Sequence, residues 1–147
     1  MSTLNILLVD DDQNLVTTLS HGLRKGMGEA TSVAVCFSGA EAFSMLATQG
    51  FDVVVSDFNM PGPSGLEFLN RIKQNYREII LILITAYGTD ALEEGVRQLG
   101  VGYITKPFEP PFLVQLIKDL IQSKETMGKT ENALSVMDKL GKPARSS

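Results

Sequence analysis

Five short apolar segments recur along the chain, and an amphipathic stretch follows each of them. The apolar segments have the length of buried strands, and they cover residues 5–9, 32–37, 51–56, 79–85 and 102–105. In the intervening stretches apolar side chains recur every three or four residues, which predicts helices at about 14–25, 39–50, 64–75, 89–99 and 110–122. The chain therefore alternates strand and helix five times.

Four of the predicted helices carry a clear apolar stripe that we expect to face a core. Its members are Leu15, Val16, Leu19 and Leu23 in the first helix, Ala42, Phe43, Leu46 and Ala47 in the second, Leu66, Leu69 and Ile72 in the third, and Leu113, Leu116, Ile117, Leu120 and Ile121 in the last. We expect Gly26 and Gly28 to end the first helix, because glycine commonly terminates helices.

Strands that are apolar on both faces and alternate with helices indicate an α/β fold with a buried parallel sheet. Right-handed crossovers then wind the helices onto both faces, which gives a doubly wound five-stranded sheet. In such sheets the functional crevice lies at the carboxyl ends of the strands, near the point where the strand order reverses.

Polar side chains follow the predicted strands at that same edge. Residues 10–12, all aspartates, follow the first strand, Asp57 follows the third, Thr85 ends the fourth, and Lys106 follows the fifth. Clustered carboxylates repel one another unless a cation lies among them. Oxygen ligands without thiol or imidazole suit a hard cation, and Mg²⁺ is the usual one.

Four motifs occur in order at these strand ends: LLVDDD, VVVSDFNMPGPSG, LILITAYG and GYITKPF. Together they resemble the receiver domain of bacterial two-component response regulators, over roughly residues 4–122. The resemblance implies a flavodoxin-like (βα)5 fold for a receiver domain at residues 1–122. It also implies a signalling switch rather than a metabolic enzyme, with self-catalysed phosphotransfer and dephosphorylation only.

The resemblance assigns a role to each acid. Asp57 would be the phosphoacceptor, which takes a phosphoryl group from a sensor histidine kinase or a histidine phosphotransfer protein. Asp11 would bind Mg²⁺ directly, Asp10 chiefly through water, and Asp57 and the backbone carbonyl of Asn59 would complete the protein ligands. Asp12 has an equally good local explanation, since an aspartate before a helix caps its first amides.

The resemblance also assigns the remaining polar residues of the site. The Thr85 hydroxyl would hydrogen-bond the phosphoryl group, and Lys106 would pair with one of its oxygens across a cis Lys106–Pro107 bond. Tyr103 would be a switch aromatic that turns from solvent inward when Thr85 moves, and the alternative is an aromatic strand residue packed at the surface. Tyr87 would flank the phosphoryl site and hinder water.

Two other classes of protein share part of this pattern. A phosphatase of the haloacid dehalogenase type also has a strand-end Asp nucleophile with Mg²⁺, but it needs a second Asp where this chain has Asn59. An interaction-only pseudo-receiver lacks the acceptor Asp or the Lys, and this chain has both Asp57 and Lys106. The sequence therefore favours the phosphorylated receiver.

Composition bears on the cellular compartment and on the classes of partner that this chain binds. The 147 residues carry a formal net charge of −4, which does not favour direct nucleic-acid binding by this chain. Cys36 is the only cysteine, which fits a reducing compartment, and we expect a cytoplasmic protein of bacterial origin. The amino-terminal residues do not resemble a signal peptide, and the longest apolar run is too short to span a membrane.

Residues 123–147 differ from the rest of the chain. They hold five basic and three acidic residues, so they carry +2 of a total charge of −4, and the preceding residues carry −6. We expect a polar tail or a linker towards an output domain, or a short helix with Leu134, Met137 and Leu140 on one face. That helix could dock on the receiver or on a second copy, and we expect the tail to add little to stability.

Overall fold

The computed structural model describes residues 3–57, 65–86 and 88–127. The elements alternate as predicted. The strands are β1 (Leu4–Val9), β2 (Thr31–Cys36), β3 (Val53–Asp57), β4 (Ile80–Thr85) and β5 (Gly102–Thr105). The helices are α1 (Gln13–Met27), α2 (Gly39–Thr48), α3 (Gly65–Asn75), α4 (Asp90–Leu99) and α5 (Pro110–Met127).

The five strands form one parallel sheet in the order β2-β1-β3-β4-β5, so the predicted α/β fold is confirmed. The strand order reverses beside β1, which places a crevice between β1 and β3 at their carboxyl ends. The central strands are almost wholly buried because helices cover both faces of the sheet, and this is why β3 and β4 read as continuous apolar runs. In the part of the chain that the structure describes, no helix is long and apolar enough to cross a bilayer.

The predicted apolar stripes match the core with one error. The core includes Leu69, Ile72, Leu113, Leu116 and Ile117, each with an exposed fraction of 0%. Ala47, however, is exposed, because α2 turns it away from the sheet while Ala42 and Leu46 face inward. Leu66 lies in α3, but its side chain is not among those that the structure describes.

Three helix ends differ from the predictions. Helix α2 ends at Thr48, two residues before its predicted end at Gly50. Gly26 does not stop α1 but lies inside it, and Gly28 follows its end with a φ of 98°, a value that favours glycine. The last helix continues to Met127, five residues beyond its predicted end at Gln122. The first four added residues are polar, so apolar periodicity alone could not include this last turn.

Candidate functional site

Strand register brings the predicted polar residues to one edge of the sheet. Val9 of β1 pairs with Ser56 of β3, so the residues that follow them, Asp10 and Asp57, lie side by side at the strand ends. Thr85 closes β4 next to them and pairs with Thr105. Lys106 then follows β5, and its backbone amide donates to the Thr85 carbonyl at 2.8 Å.

Three acids form the centre of the site. One carboxylate oxygen each from Asp10, Asp11 and Asp57 lies within 4.8 Å of the others. Asp10 and Asp57 are buried, with exposed fractions of 5% and 3%, whereas Asp11 is exposed. A group with two buried acids and one open to solvent is accessible from one side.

Burial gives Asp10 an unusual affinity for its proton. Desolvation raises the pKa of Asp10 to about 6, and the charges of Asp57 and Asp11 add to this rise. The hydrogen bond from the Asp12 amide, 2.9 Å to Asp10 Oδ1, opposes it together with Lys106. Such a carboxylate is stabilised in its charged form by a cation, and this donor set of three acids fits Mg²⁺.

Lys106 supplies the positive charge of the site. Its Nζ lies 2.9 Å from Asp57 Oδ1, and its side chain is 29% exposed. Burial would lower the pKa of the Lys106 ammonium, but the hydrogen bond and charge of Asp57, with the charges of Asp10 and Asp12, raise it overall. The Lys106–Pro107 peptide bond is cis, as the resemblance to receiver domains implied.

Asp12 has a separate structural role. Its carboxylate Oδ1 accepts from the backbone amides of Asn14 and Leu15, at 3.1 and 3.2 Å, and so caps α1. It is not a member of the three-acid group among the described residues. The capping explanation therefore accounts for this third aspartate.

Tyr103 and the loop residues complete the comparison with the sequence. The Tyr103 ring is buried, with an exposed fraction of 5%, and Thr85 is fully buried. The predicted ligand Asn59 and the flanking Tyr87 lie outside the described residues. Sequence reasoning missed Gly88, which lies against the Tyr103 hydroxyl, because a single glycine in a loop carries no distinctive pattern.

Comparisons with known proteins agree with this geometry. The family model of the response regulator receiver domain matches residues 6–118. The chain is 39% identical over 113 residues to the response regulator protein FleR of Pseudomonas aeruginosa, a match that covers 76% of this chain and 23% of FleR. It is 32% identical over 127 residues to the DNA-binding transcriptional regulator NtrC of Klebsiella pneumoniae, over 86% of this chain and 26% of NtrC.

A solved structure shows the same fold. The chemotaxis response regulator CheY4 of Vibrio cholerae superimposes with a TM-score of 0.70 and 26% identity, over 80% of this chain and 98% of CheY4. The chain thus spans about a quarter of FleR and NtrC but nearly all of the CheY4 chain.

Proposed function

This chain belongs to the response regulator receiver domain family of two-component signalling, and from that premise we propose that Asp57 is its phosphoacceptor. One observation carries the proposal. The Asp57 carboxylate is buried at the end of β3, grouped with Asp10 and Asp11, and 2.9 Å from the Lys106 ammonium. A nucleophilic carboxylate needs this combination of fixed position and nearby positive charge.

In the proposed reaction an Asp57 carboxylate oxygen forms a bond to the phosphorus of a phosphohistidine. The bond from phosphorus to the imidazole nitrogen breaks, and the leaving imidazole keeps the electron pair and gains a proton. Lys106 exchanges its contact with the carboxylate for one with a phosphoryl oxygen, and the Thr85 hydroxyl donates to another. Hydrolysis of the acyl phosphate returns Asp57 to its starting form, and no other substrate is involved.

Asp10, Asp11 and Asp57 would hold Mg²⁺, with the backbone carbonyl of Asn59 as a further ligand. The bound ion would offset the negative charge on the phosphoryl oxygens. The fit is supported by the chemistry of the three-acid group, which contains only hard oxygen donors.

We propose a sensor histidine kinase or a histidine phosphotransfer protein as the phosphodonor, which would place the reaction in the cytoplasm. Phosphorylation would draw in Thr85 and favour the inward position of the Tyr103 ring over the solvent-facing one, which would change the surface of α4, β5 and α5. Residues 1–122 would form this receiver, and residues 123–147 would lead towards an output domain. NtrC is a DNA-binding transcriptional regulator. We propose that this chain does not bind DNA itself and controls an output domain or partner through protein–protein contacts.

The test uses acetyl phosphate and Mg²⁺ as the phosphodonor system, with the modified residue located by mass spectrometry. Asp57→Asn should lose the modification. Asp52→Asn is the matched control just before the same strand, because the amide oxygen can still accept from the Asn5 backbone amide, and it should keep the modification. Modification that persists in Asp57→Asn would refute the assignment.

The switch is tested separately by amide chemical shifts. Beryllofluoride, a phosphoryl mimic, is added with Mg²⁺ to wild type and to Thr85→Ala. The shift changes around Tyr103 and α4 should be smaller in Thr85→Ala, because the hydroxyl that responds to the phosphoryl oxygens is missing. Equal shift changes in both proteins would show that Thr85 does not transmit the effect of the phosphoryl group to Tyr103.

A further inference from the structure

The Tyr103 hydroxyl is buried without a hydrogen-bond partner in the part of the chain that the structure describes. A hydroxyl removed from water without compensation destabilises the position it occupies. Burial also raises the pKa of the Tyr103 phenol. The inward position of the ring is therefore favoured by packing and opposed by its polar end, which makes it sensitive to small steric changes.

Gly88 is the residue that leaves room for that hydroxyl. A Cβ built on Gly88 would overlap the Tyr103 hydroxyl oxygen, and it would also lie 3.1 Å from Thr105 Cγ2. Gly88 does not have a positive φ, so its backbone conformation is open to any residue. The need for glycine at this position is thus a need for space.

We infer that Gly88 is a positioning residue, whose missing side chain allows Tyr103 to take its inward rotamer. Any larger residue at position 88 moves the ring outward. The inference rests on the proposed switch role of Tyr103 and adds a residue that sets the balance of the switch. Gly88 itself touches neither the three-acid group nor Lys106 among the contacts that the structure describes.

The ring is the part that yields to an added methyl group. The hydroxyl is the far end of a side chain with two rotatable bonds, and it regains water when it moves outward. The backbone of β5 is held more firmly than the Tyr103 ring, because Tyr103 pairs with Leu83 and Thr105 pairs with Thr85 in the parallel sheet. Outward rotation thus relieves the overlap without breaking the sheet.

The first experiment measures the ring position in Gly88→Ala. The three tyrosines are replaced by 3-fluorotyrosine, and the fluorine signals are assigned with single Phe variants of Tyr76, Tyr87 and Tyr103. In Gly88→Ala the Tyr103 signal should move to the solvent-exposed position, with roughly a ten- to hundredfold shift in the ratio of inward to outward ring. Its phenol pKa should also fall towards the ordinary value of about 10.

Gly50→Ala is the matched control, because a Cβ on Gly50 meets no atom within 4 Å. It should leave the Tyr103 signal unchanged. A Tyr103 signal in Gly88→Ala that stays at the wild-type position would overturn the inference, since the loop would then have moved and the ring would not.

The second experiment removes the colliding atom. In a Tyr103→Phe background the nearest ring atom, Cζ, lies 3.4 Å from the added methyl group, which is an ordinary contact. Gly88→Ala should therefore lower the melting temperature by a few degrees in wild type and clearly less in Tyr103→Phe. An equal loss in both backgrounds would show that Thr105 or the backbone bears the overlap, and it would overturn the inference.

Failure of this inference can be separated from failure of the proposed function. Gly88→Ala should still accept a phosphoryl group at Asp57 from acetyl phosphate. If wild type itself is not modified at Asp57, the phosphoacceptor proposal fails, whatever the fluorine signals show.

Discussion

At the scale of single residues, the three consecutive aspartates have two different structural roles, and their hydrogen bonds show which residue has which. Asp10 and Asp11 group with Asp57, whereas the Asp12 carboxylate accepts from two amides at the start of α1. The sequence could predict that acids gather at this edge, but it left the role of Asp12 open. Only the chain direction after β1 decides which carboxylate meets the helix amides.

Removal of the Asp11 charge should weaken metal binding far more than removal of the Asp12 charge. Asp11→Asn should raise the dissociation constant for Mg²⁺ on the order of tenfold, because one of three carboxylates is lost. Asp12→Asn should change it by less than about threefold and leave stability nearly unchanged, since Asn caps helices as well as Asp does. NMR titration with Mg²⁺ measures both, and a larger effect for Asp12→Asn would contradict the proposed ligand set.

At the scale of elements, the sequence predicted every strand and helix but missed several boundaries. Strand β3 runs from Val53 to Asp57, whereas the predicted apolar segment began two residues earlier, at residue 51. Its register with β4, where Asp57 pairs with Ile84, depends on contacts between distant segments. Apolar periodicity contains no information about such pairing. The sequence could therefore predict that the site residues share one edge of the sheet, but not the distances between them.

The contact between α1 and α5 depends on Gly22, which the sequence analysis did not single out, and on Gly26, which it suggested only as a helix stop. A Cβ on Gly22 would lie 2.5 Å from Pro110 Cβ, and one on Gly26 would lie 2.8 Å from Val114 Cγ2. These glycines let two helices approach closely. Helical glycine normally lowers stability by roughly 0.5–1 kcal/mol relative to Ala, so a packing gain must offset this.

Alanine at Gly22 should therefore destabilise the protein, against the usual trend in helices. We expect Gly22→Ala to lower the free energy of unfolding by roughly 1–3 kcal/mol, because the rigid Pro110 ring cannot move aside. Gly26→Ala should be milder, because the overlap is smaller and involves the terminal methyl groups of Val114, which can give way more easily than a ring closed onto the backbone. Urea unfolding measures both, and the Gly26→Ala loss should shrink in a Val114→Ala background. A Gly22→Ala protein more stable than wild type would show that the two helices are not this close.

At the scale of the whole molecule, α5 extends the described fold past Gln122, the predicted end of the receiver. The helix passes Gln122 and places Lys124 beside Glu78, where its ammonium donates to the Glu78 carbonyl and lies 3.9 Å from the carboxylate. Both side chains are largely exposed, so this contact should contribute no more than about 1 kcal/mol. Because residues 123–126 are polar, the apolar pattern of the sequence did not predict this last part of the helix.

Truncation should therefore have different effects at two points that are only five residues apart. A chain that ends at Met127 should keep the wild-type free energy of unfolding within about 0.5 kcal/mol, because the removed residues are mostly polar and include two glycines and a proline. A chain that ends at Gln122 should lose roughly 1 kcal/mol, a few degrees in melting temperature, with the last helical turn and the Lys124 contact. Lys124→Ala in the full chain separates the two causes and should reproduce only part of that loss. If the chain ending at Met127 melts several degrees lower than the full chain, residues 128–147 pack on the receiver or bridge two copies, and the tail is more than a linker.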